Sequence, residues 1–203
     1  MKTKYFLMVS IIILGFIVFS SALYSAPSKT RIASATMLAN TCAGCHGTNG
    51  SSVGPASPTI AGISRDYFIE TMKAYQSSKR PSTIMSRIAK GYNDKEIELM
   101  ADYFSKQPFV RLPQTYDDNA ARRGKKLHKK YCEKCHEDGG SSAEDDAGIL
   151  TGQWGLYLRF TLEDFTNSKR FLEEKKKMRM NKLVEVHGQA GINDLVHFYA
   201  SQQ

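Results

Sequence analysis

The chain has 203 residues, of which 41% are hydrophobic and 24% are charged, and its formal net charge is +8. This composition is ordinary for a globular protein, and the length allows one or two small domains. The positive excess is mild, so it does not indicate a nucleic-acid partner.

Residues 1–26 differ in composition from the rest of the chain. Lys2 and Lys4 precede an apolar run over residues 5–19, and small residues follow as far as Ala26. This pattern is typical of a secretory signal peptide, so we predict a periplasmic protein with no membrane attachment after cleavage. An uncleaved membrane anchor is the alternative, and the apolar run is short for one.

Two strings of the form C-x-x-C-H use all four cysteines of the chain. This is the attachment signature of a c-type haem, in which two thiols form thioethers and the adjacent histidine ligates the iron. A zinc ribbon is a poorer explanation, because its cysteine pairs usually lie about 15–20 residues apart and these lie 90 apart. We therefore predict two covalent haems, attached through Cys42, Cys45, Cys132 and Cys135, with His46 and His136 as iron ligands.

The chain also repeats itself. A shift of 90 residues aligns the two haem motifs, and it aligns Ser78-Lys79-Arg80 with Ser168-Lys169-Arg170. Near the end the shift becomes 96, which places about six inserted residues before Leu195. We predict two copies of one haem domain, residues 27–106 and 118–203. The linker 107–117 contains Pro108 and Pro113, which cannot continue a helix.

Helical spacing of apolar residues recurs in both copies, and no strand-period segment competes with it. The predicted fold is therefore all-α, with two tandem class I cytochrome c-like domains that each bind one haem covalently. Asn93 is the predicted N-cap of the helix that closes the first copy. The predicted helices are Ile32–Cys45, Arg65–Ser77 and Asp94–Lys106 in the first copy, and Asp118–Cys135, Leu156–Asn167 and Asn193–Ser201 in the second.

Each haem iron needs a second ligand, and a methionine opposite the histidine raises the reduction potential. Met85 is the predicted ligand in the first copy, because it lies in the loop before the closing helix. The second copy offers two candidates. Register with Met85 favours Met178, whereas counting back from the closing helix favours Met180. We predict Met178, with Met180 as the alternative.

The other ring nitrogen of each iron-ligating histidine needs a hydrogen-bond acceptor, which fixes the tautomer. The carbonyls of Gly54-Pro55 are the predicted acceptors for His46. The equivalent positions in the second copy are Glu144 and Asp145, so we predict a different acceptor there and different potentials for the two haems. Trp154, the only tryptophan, is either a core residue or a haem contact.

Beyond the bare haem motifs, six longer strings are informative: Cys42–Thr48, Ser52–Pro58, Ser82–Tyr92, Lys130–His136, Gly152–Trp154 and Phe198–Gln203. Through these strings, the chain from about Met37 to Gln203 resembles the dihaem cytochrome subunit of flavocytochrome c sulfide dehydrogenase. The spacing of the Met178–Lys182 stretch departs from the family pattern, which leaves the second axial methionine open.

The resemblance implies an electron-transfer subunit that is not itself the enzyme. A separate FAD flavoprotein would oxidise sulfide to sulfur, and this chain would pass the electrons through two haems to a soluble acceptor such as a cytochrome. The residues alone support a periplasmic dihaem electron carrier, so a free-standing dihaem cytochrome c that feeds a terminal oxidase is the alternative. An enzyme that reacts at its iron is disfavoured, because no cysteine is spare and both copies offer a methionine.

The haem loops of the two copies differ in charge, which suggests different partners. Residues 47–60 are small and nearly uncharged, so docking this loop against a flavoprotein desolvates few charges. The matching loop carries Glu137 and Asp138 and the acidic run 144–146. With Lys175–Lys177 nearby in sequence, we predict that this second loop makes a transient, salt-sensitive contact with the soluble acceptor.

Overall fold

The structure is a computed structural model that describes residues 33–143, 147–167, 169–170 and 174–203. The predicted signal peptide lies outside these residues. Every regular element in the described ranges is helical, which confirms the predicted all-α class. None of these helices combines the length and the apolar character that a membrane span needs.

Three predicted helices are present with ends that differ by one or two residues: Arg65–Ser77, Asp94–Lys106 and Leu156–Asn167. The other three differ more: Ile32–Cys45 is divided into two helices, Asp118–Cys135 already ends at Tyr131, and Asn193–Ser201 is the end of a longer helix. A 3₁₀ turn covers Thr48–Gly50, and α7 is a single turn whose Asp138 and Gly139 adopt left-handed backbone angles. The helices are α1 (Ala35–Asn40), α2 (Ala43–His46), α3 (Arg65–Gln76), α4 (Met85–Ala89), α5 (Asp94–Phe104), α6 (Asp118–Tyr131), α7 (Glu137–Gly140), α8 (Gly155–Thr166) and α9 (Glu174–Ala200).

Helix α5 closes the core of the first half. It begins with a reciprocal capping box: the Asn93 side chain accepts from the Glu96 N–H, and the Glu96 carboxylate accepts from the Asn93 N–H, which confirms the predicted N-cap. Ile97, Met100 and Phe104 recur at helical spacing and are at most 1% exposed. Burying each of these side chains contributes roughly 2 kcal/mol, and they pack on α1 and α3.

Helices α6 and α9 form the core of the second half. Leu127 of α6 packs with Leu195 and Tyr199 of α9 in this core. The two helices approach closely at Gly124, where a Cβ would lie 2.0 Å from the carbonyl oxygen of Asp194. The sequence therefore needs a glycine at this crossing.

Two predicted elements are wrong in a way that matters for the site. The predicted loop with Met178 and Met180 is helical, since α9 starts at Glu174 and breaks only at Gly188, whose φ is 57°. Few apolar residues mark this segment, but Glu, Lys and Met are good helix formers. In the first half, Met85 is the first residue of α4 and not a loop residue.

Residues Ala33 to Gln203 form a single unit, and the linker packs on the second half of it. The Gln114 side chain donates to the Gln153 carbonyl at 2.9 Å and accepts from the Gly155 N–H at 2.9 Å. These two bonds hold the linker against the start of α8.

Candidate functional site

The first C-x-x-C-H string folds into one tight turn. The N–H groups of Cys45 and His46 both donate to the Cys42 carbonyl, at 3.2 and 2.9 Å. Neither thiol is in a disulfide, and His46 is 9% exposed. Burial raises the pKa of the Cys42 thiol. The turn therefore presents two free thiols beside a buried imidazole.

The second string has the same hydrogen bonds. The N–H groups of Cys135 and His136 donate to the Cys132 carbonyl at 3.1 and 3.0 Å. Both cysteines are again free, and burial raises the pKa of the Cys132 thiol to about 11. The sequence repeat is thus also a repeat of backbone structure.

The histidines of both C-x-x-C-H strings donate their Nδ1 proton to a carbonyl twelve residues further on. His46 Nδ1 lies 2.8 Å from the Pro58 oxygen, and His136 Nδ1 lies 3.1 Å from the Gly148 oxygen. A carbonyl only accepts hydrogen bonds, so each Nδ1 carries the proton and each Nε2 keeps its lone pair for a metal. Burial lowers the pKa of His46, and it lowers the pKa of His136 to about 4, so both rings are neutral at pH 7.

These acceptors correct two predictions. Gly54-Pro55 does not supply the acceptor for His46, and the second copy does not use a different position. Pro58 and Gly148 are equivalent under the 90-residue shift. The backbone path of the loop decides which carbonyl faces the ring, and the sequence does not reveal that path.

Each haem loop is closed by a glycine carbonyl. The Gly50 oxygen accepts from Ile60 N–H and Ala61 N–H, and the Gly140 oxygen accepts from Leu150 N–H and Thr151 N–H. Both glycines have positive φ, 83° and 92°, a conformation that other residues adopt only with strain. The identical closure places the acceptor carbonyls at the same point in both copies.

The methionine predicted for the first site has two isoleucines close to it in sequence. Met85 is partly buried and packs on the first core. Ile84 and Ile88, one before and three after it, are 45% and 37% exposed. This apolar surface beside a thioether fits one face of a haem.

The two candidate methionines of the second site differ in burial. Met180 packs on the second core together with Cys132, whereas Met178 is 60% exposed. Residues two apart on a helix point about 200° apart, so only one of the pair faces the core. The packing favours Met180, the alternative, over the predicted Met178.

A buried cationic cluster lies where the two halves meet. The Arg80 guanidinium is 6% exposed and donates to Thr71 Oγ1 at 3.1 Å and, across the halves, to the Tyr157 hydroxyl at 3.2 Å. Burial, with the nearby Arg80 charge, lowers the pKa of Arg170. Burial raises the pKa of Tyr67, but the two guanidiniums outweigh it and lower that pKa to about 8.

Such a pair of cations is costly to bury without anions. No ion pair joins Arg80 or Arg170 to a carboxylate in the described part of the chain. Haem c carries two propionate carboxylates, so the cluster fits the acidic edge of the predicted cofactor. Sequence analysis aligned the two arginines with each other but assigned them no role.

The second half also covers part of the first haem loop. Trp154 Nε1–H donates to the Ser52 carbonyl at 3.1 Å, and a Cβ on Gly54 would lie 2.6 Å from the indole ring. These contacts cover part of the loop that was predicted to dock a flavoprotein, although Val53 in the same loop is 77% exposed. Glu137, Asp138 and Lys175–Lys177 are exposed, and the acidic residues 144–146 lie outside the described residues.

An all-α chain with two c-type haem attachment turns, each with an oriented neutral histidine, is a dihaem cytochrome c and thus an electron carrier. Residues 33–107 match the family model described as cytochrome c. The chain is 36% identical over 70 residues to cytochrome c-554(548) of Halomonas halodenitrificans, a match that covers 84% of that protein and 33% of this chain. The chain belongs to the cytochrome c family.

Other relatives cover one or both halves. The chain is 44% identical over 68 residues to the cytochrome subunit of sulfide dehydrogenase from Chlorobaculum tepidum, which confirms the resemblance over 34% of this chain and 61% of that protein. It is 27% identical over 148 residues to cytochrome c4 of Thiocapsa roseopersicina, covering 68% of this chain and 76% of that one.

A solved structure confirms the tandem arrangement. The crystal structure of reduced recombinant cytochrome c4 from Pseudomonas stutzeri superposes with a TM-score of 0.72 at 21% identity, over 83% of this chain and 97% of that one. At this identity the likeness speaks for the fold alone.

Proposed function

We propose that this chain is the periplasmic electron-transfer subunit of a sulfide-oxidising flavocytochrome c. It would accept electrons from an FAD flavoprotein and pass them to a soluble acceptor. The observation that carries the proposal is the 44% identity to a sulfide dehydrogenase cytochrome subunit. Because that match spans 61% of the relative, the flavoprotein and the sulfide substrate are part of the proposal.

The residues that would hold the two haems follow from the site. Cys42 with Cys45, and Cys132 with Cys135, provide the thioether sulfurs. His46 and His136 would ligate the iron through Nε2, because Nδ1 is committed to a carbonyl. When bound, haem c supplies a reversible one-electron iron couple, tuned by its axial ligands and surroundings.

We propose Met85 and Met180 as the second ligands. Both side chains pack on the core of their own half. A thioether ligand on each iron would exclude water and small ligands from the metal, which would suit electron transfer and oppose catalysis at iron. Arg80 and Arg170 would neutralise propionates where the halves meet.

A free-standing dihaem carrier is the second candidate. The match to cytochrome c4 runs over 148 residues, more than twice the length of the match to the sulfide dehydrogenase subunit. The fold and site are the same in both cases, so only a stable partner separates them.

Co-expression with a candidate flavoprotein tests the proposal. Mass spectrometry of the mature chain should first show two haem additions that survive acid denaturation. We then expect a salt-stable complex with an interface on the order of 2,000 Å², in which sulfide reduces the haems. A holoprotein that stays monomeric beside the flavoprotein, and is not reduced by sulfide in its presence, would identify the free carrier instead.

A further inference from the structure

The side chain of Gln153, in the second half, is hydrogen-bonded to the main chain of Thr59 in the first. Thr59 N–H donates to Gln153 Oε1 at 3.0 Å, and Gln153 Nε2 donates to the Thr59 carbonyl at 2.7 Å. Both residues are 3% exposed. The amide thus uses both of its polar ends on one backbone residue inside the protein.

The same contact reaches the first haem site through a single peptide group. Thr59 N–H and the Pro58 carbonyl belong to one peptide unit, which is planar. The Pro58 oxygen accepts from His46 Nδ1 at 2.8 Å. Fixing the N–H end of this peptide against Gln153 therefore fixes the carbonyl end against His46.

The contact with Gln153 also has an electronic effect on the Pro58–Thr59 peptide. A hydrogen bond accepted by Gln153 from the peptide N–H polarises the peptide and makes its carbonyl a stronger acceptor. A stronger acceptor at Nδ1 makes a histidine a more basic metal ligand, and a more basic ligand favours the oxidised iron.

Trp154 holds the other end of the same loop. Its Nε1–H donates to the Ser52 carbonyl, and its ring lies against Gly54. Two consecutive residues of the second half thereby hold the loop on both sides of its acceptor carbonyl.

Among the residues that the structure describes, the second haem site shows no equivalent of this contact. The residue that corresponds to Gln153 under the 90-residue shift is Ile63, whose side chain has no hydrogen-bonding group. The Nδ1–carbonyl distance is also longer at His136, 3.1 Å against 2.8 Å at His46. A side chain of the second half therefore acts on the first haem site, and the described residues show no matching contact from the first half to the second site.

We propose that Gln153 is a positioning residue for the first haem site: it orients and polarises the Pro58–Thr59 peptide and so tunes His46 as an iron ligand. This inference rests on iron ligation by His46, and it is independent of the flavoprotein partner. The sequence predicted different haem potentials because the two histidine acceptors would differ. We expect different potentials because Gln153 acts on the first site.

The test uses the haem-loaded full chain and Gln153→Met, which keeps the side-chain length and removes both hydrogen bonds. We expect the first haem to become easier to reduce, with its reduction equilibrium shifted roughly threefold to tenfold; tenfold corresponds to 59 mV. In the NMR spectrum of the oxidised protein, the His46 Nδ1 proton should exchange with solvent at least roughly tenfold faster. The second haem and His136 should not change.

Two further variants distinguish the effect of the Gln153–Thr59 hydrogen bonds from a general loosening of the structure around Gln153. Gln114→Ala removes two hydrogen bonds from the main chain of residues 153–155 without touching Thr59, so it should leave the first haem unchanged. Gln153→Glu keeps an acceptor for Thr59 N–H, so it should not raise the first potential.

The inference is wrong if Gln153→Met leaves the first potential and the His46 exchange rate unchanged. It is equally wrong if both haems shift together, or if Gln114→Ala reproduces the effect. If the wild-type spectrum shows no iron-shifted His46 signal, the ligand assignment fails and the inference fails with it. None of these outcomes bears on whether a flavoprotein binds.

Discussion

Arg80 in the first half donates a hydrogen bond to the hydroxyl of Tyr157 in the second, 77 residues away in sequence, at 3.2 Å. This bond crosses the contact between the halves at the buried cationic cluster. Because Arg170 lies in the same cluster, we expect haem propionates that pair with these arginines to link the cofactor to the contact between the halves.

Replacing Arg80 with methionine tests this link. If haem propionates pair with the buried cluster, the variant leaves a carboxylate without its partner, and removing one member of a buried pair costs about 3–5 kcal/mol. We expect the free energy of unfolding of the holoprotein to fall by that order, measured by guanidinium denaturation. Arg87→Met is the matched control, because Arg87 is exposed and surface changes usually stay within about 0.5 kcal/mol. Equal effects in the two variants would argue against propionate binding at Arg80.

Alanine substitutions should identify the second iron ligands. Met85→Ala and Met180→Ala should each open one iron to cyanide or carbon monoxide and lower the potential of that haem, because a thioether ligand keeps the potential high. Met178→Ala should do neither, since its side chain is 60% exposed. Ligand-binding spectra and a redox titration provide the measurement. An iron opened by Met178→Ala and left closed by Met180→Ala would restore the prediction made from the sequence.

The buried His128 should make the protein sensitive to mild acid. Its side chain is 2% exposed, its Nδ1 lies 2.9 Å from the Tyr199 hydroxyl, and its Nε2 lies 2.5 Å from a Glu133 carboxylate oxygen. Burial lowers the pKa of His128, and the Glu133 charge offsets part of that effect. The unfolded chain then binds a proton at this residue more readily than the folded protein does.

The sign of the pH dependence follows from the lowered pKa. The stability contributed by neutral His128 is complete above the unfolded pKa of about 6.5 and declines as the pH falls towards the folded value. His128→Gln should flatten the loss of unfolding free energy below about pH 6.5, by at most about 1.4 kcal/mol per pH unit. Denaturation curves at several pH values measure this slope. His187→Gln serves as the control, and an equal flattening in that variant would contradict the assignment to His128.

Much of the fold and of the haem attachment was predictable from the sequence, because the signals are local. The two thiols and the histidine of each motif lie within one turn, so their spacing alone identifies covalent haem attachment. The N-cap residue Asn93 lies next to the helix that it starts, so it was likewise predictable. The 90-residue repeat showed that the second half is a copy of the first.

The tertiary structure alone decided what surrounds the motif histidines and the candidate methionines. Pro58 and Gly148 became the acceptors because of the backbone path of their loops, and helical packing turned Met180, and not Met178, towards the core. Gln153 and Thr59 lie 94 residues apart, and neither belongs to a motif. Contacts of this kind depend on how two helical units pack together, and the order of residues along the chain does not record that packing.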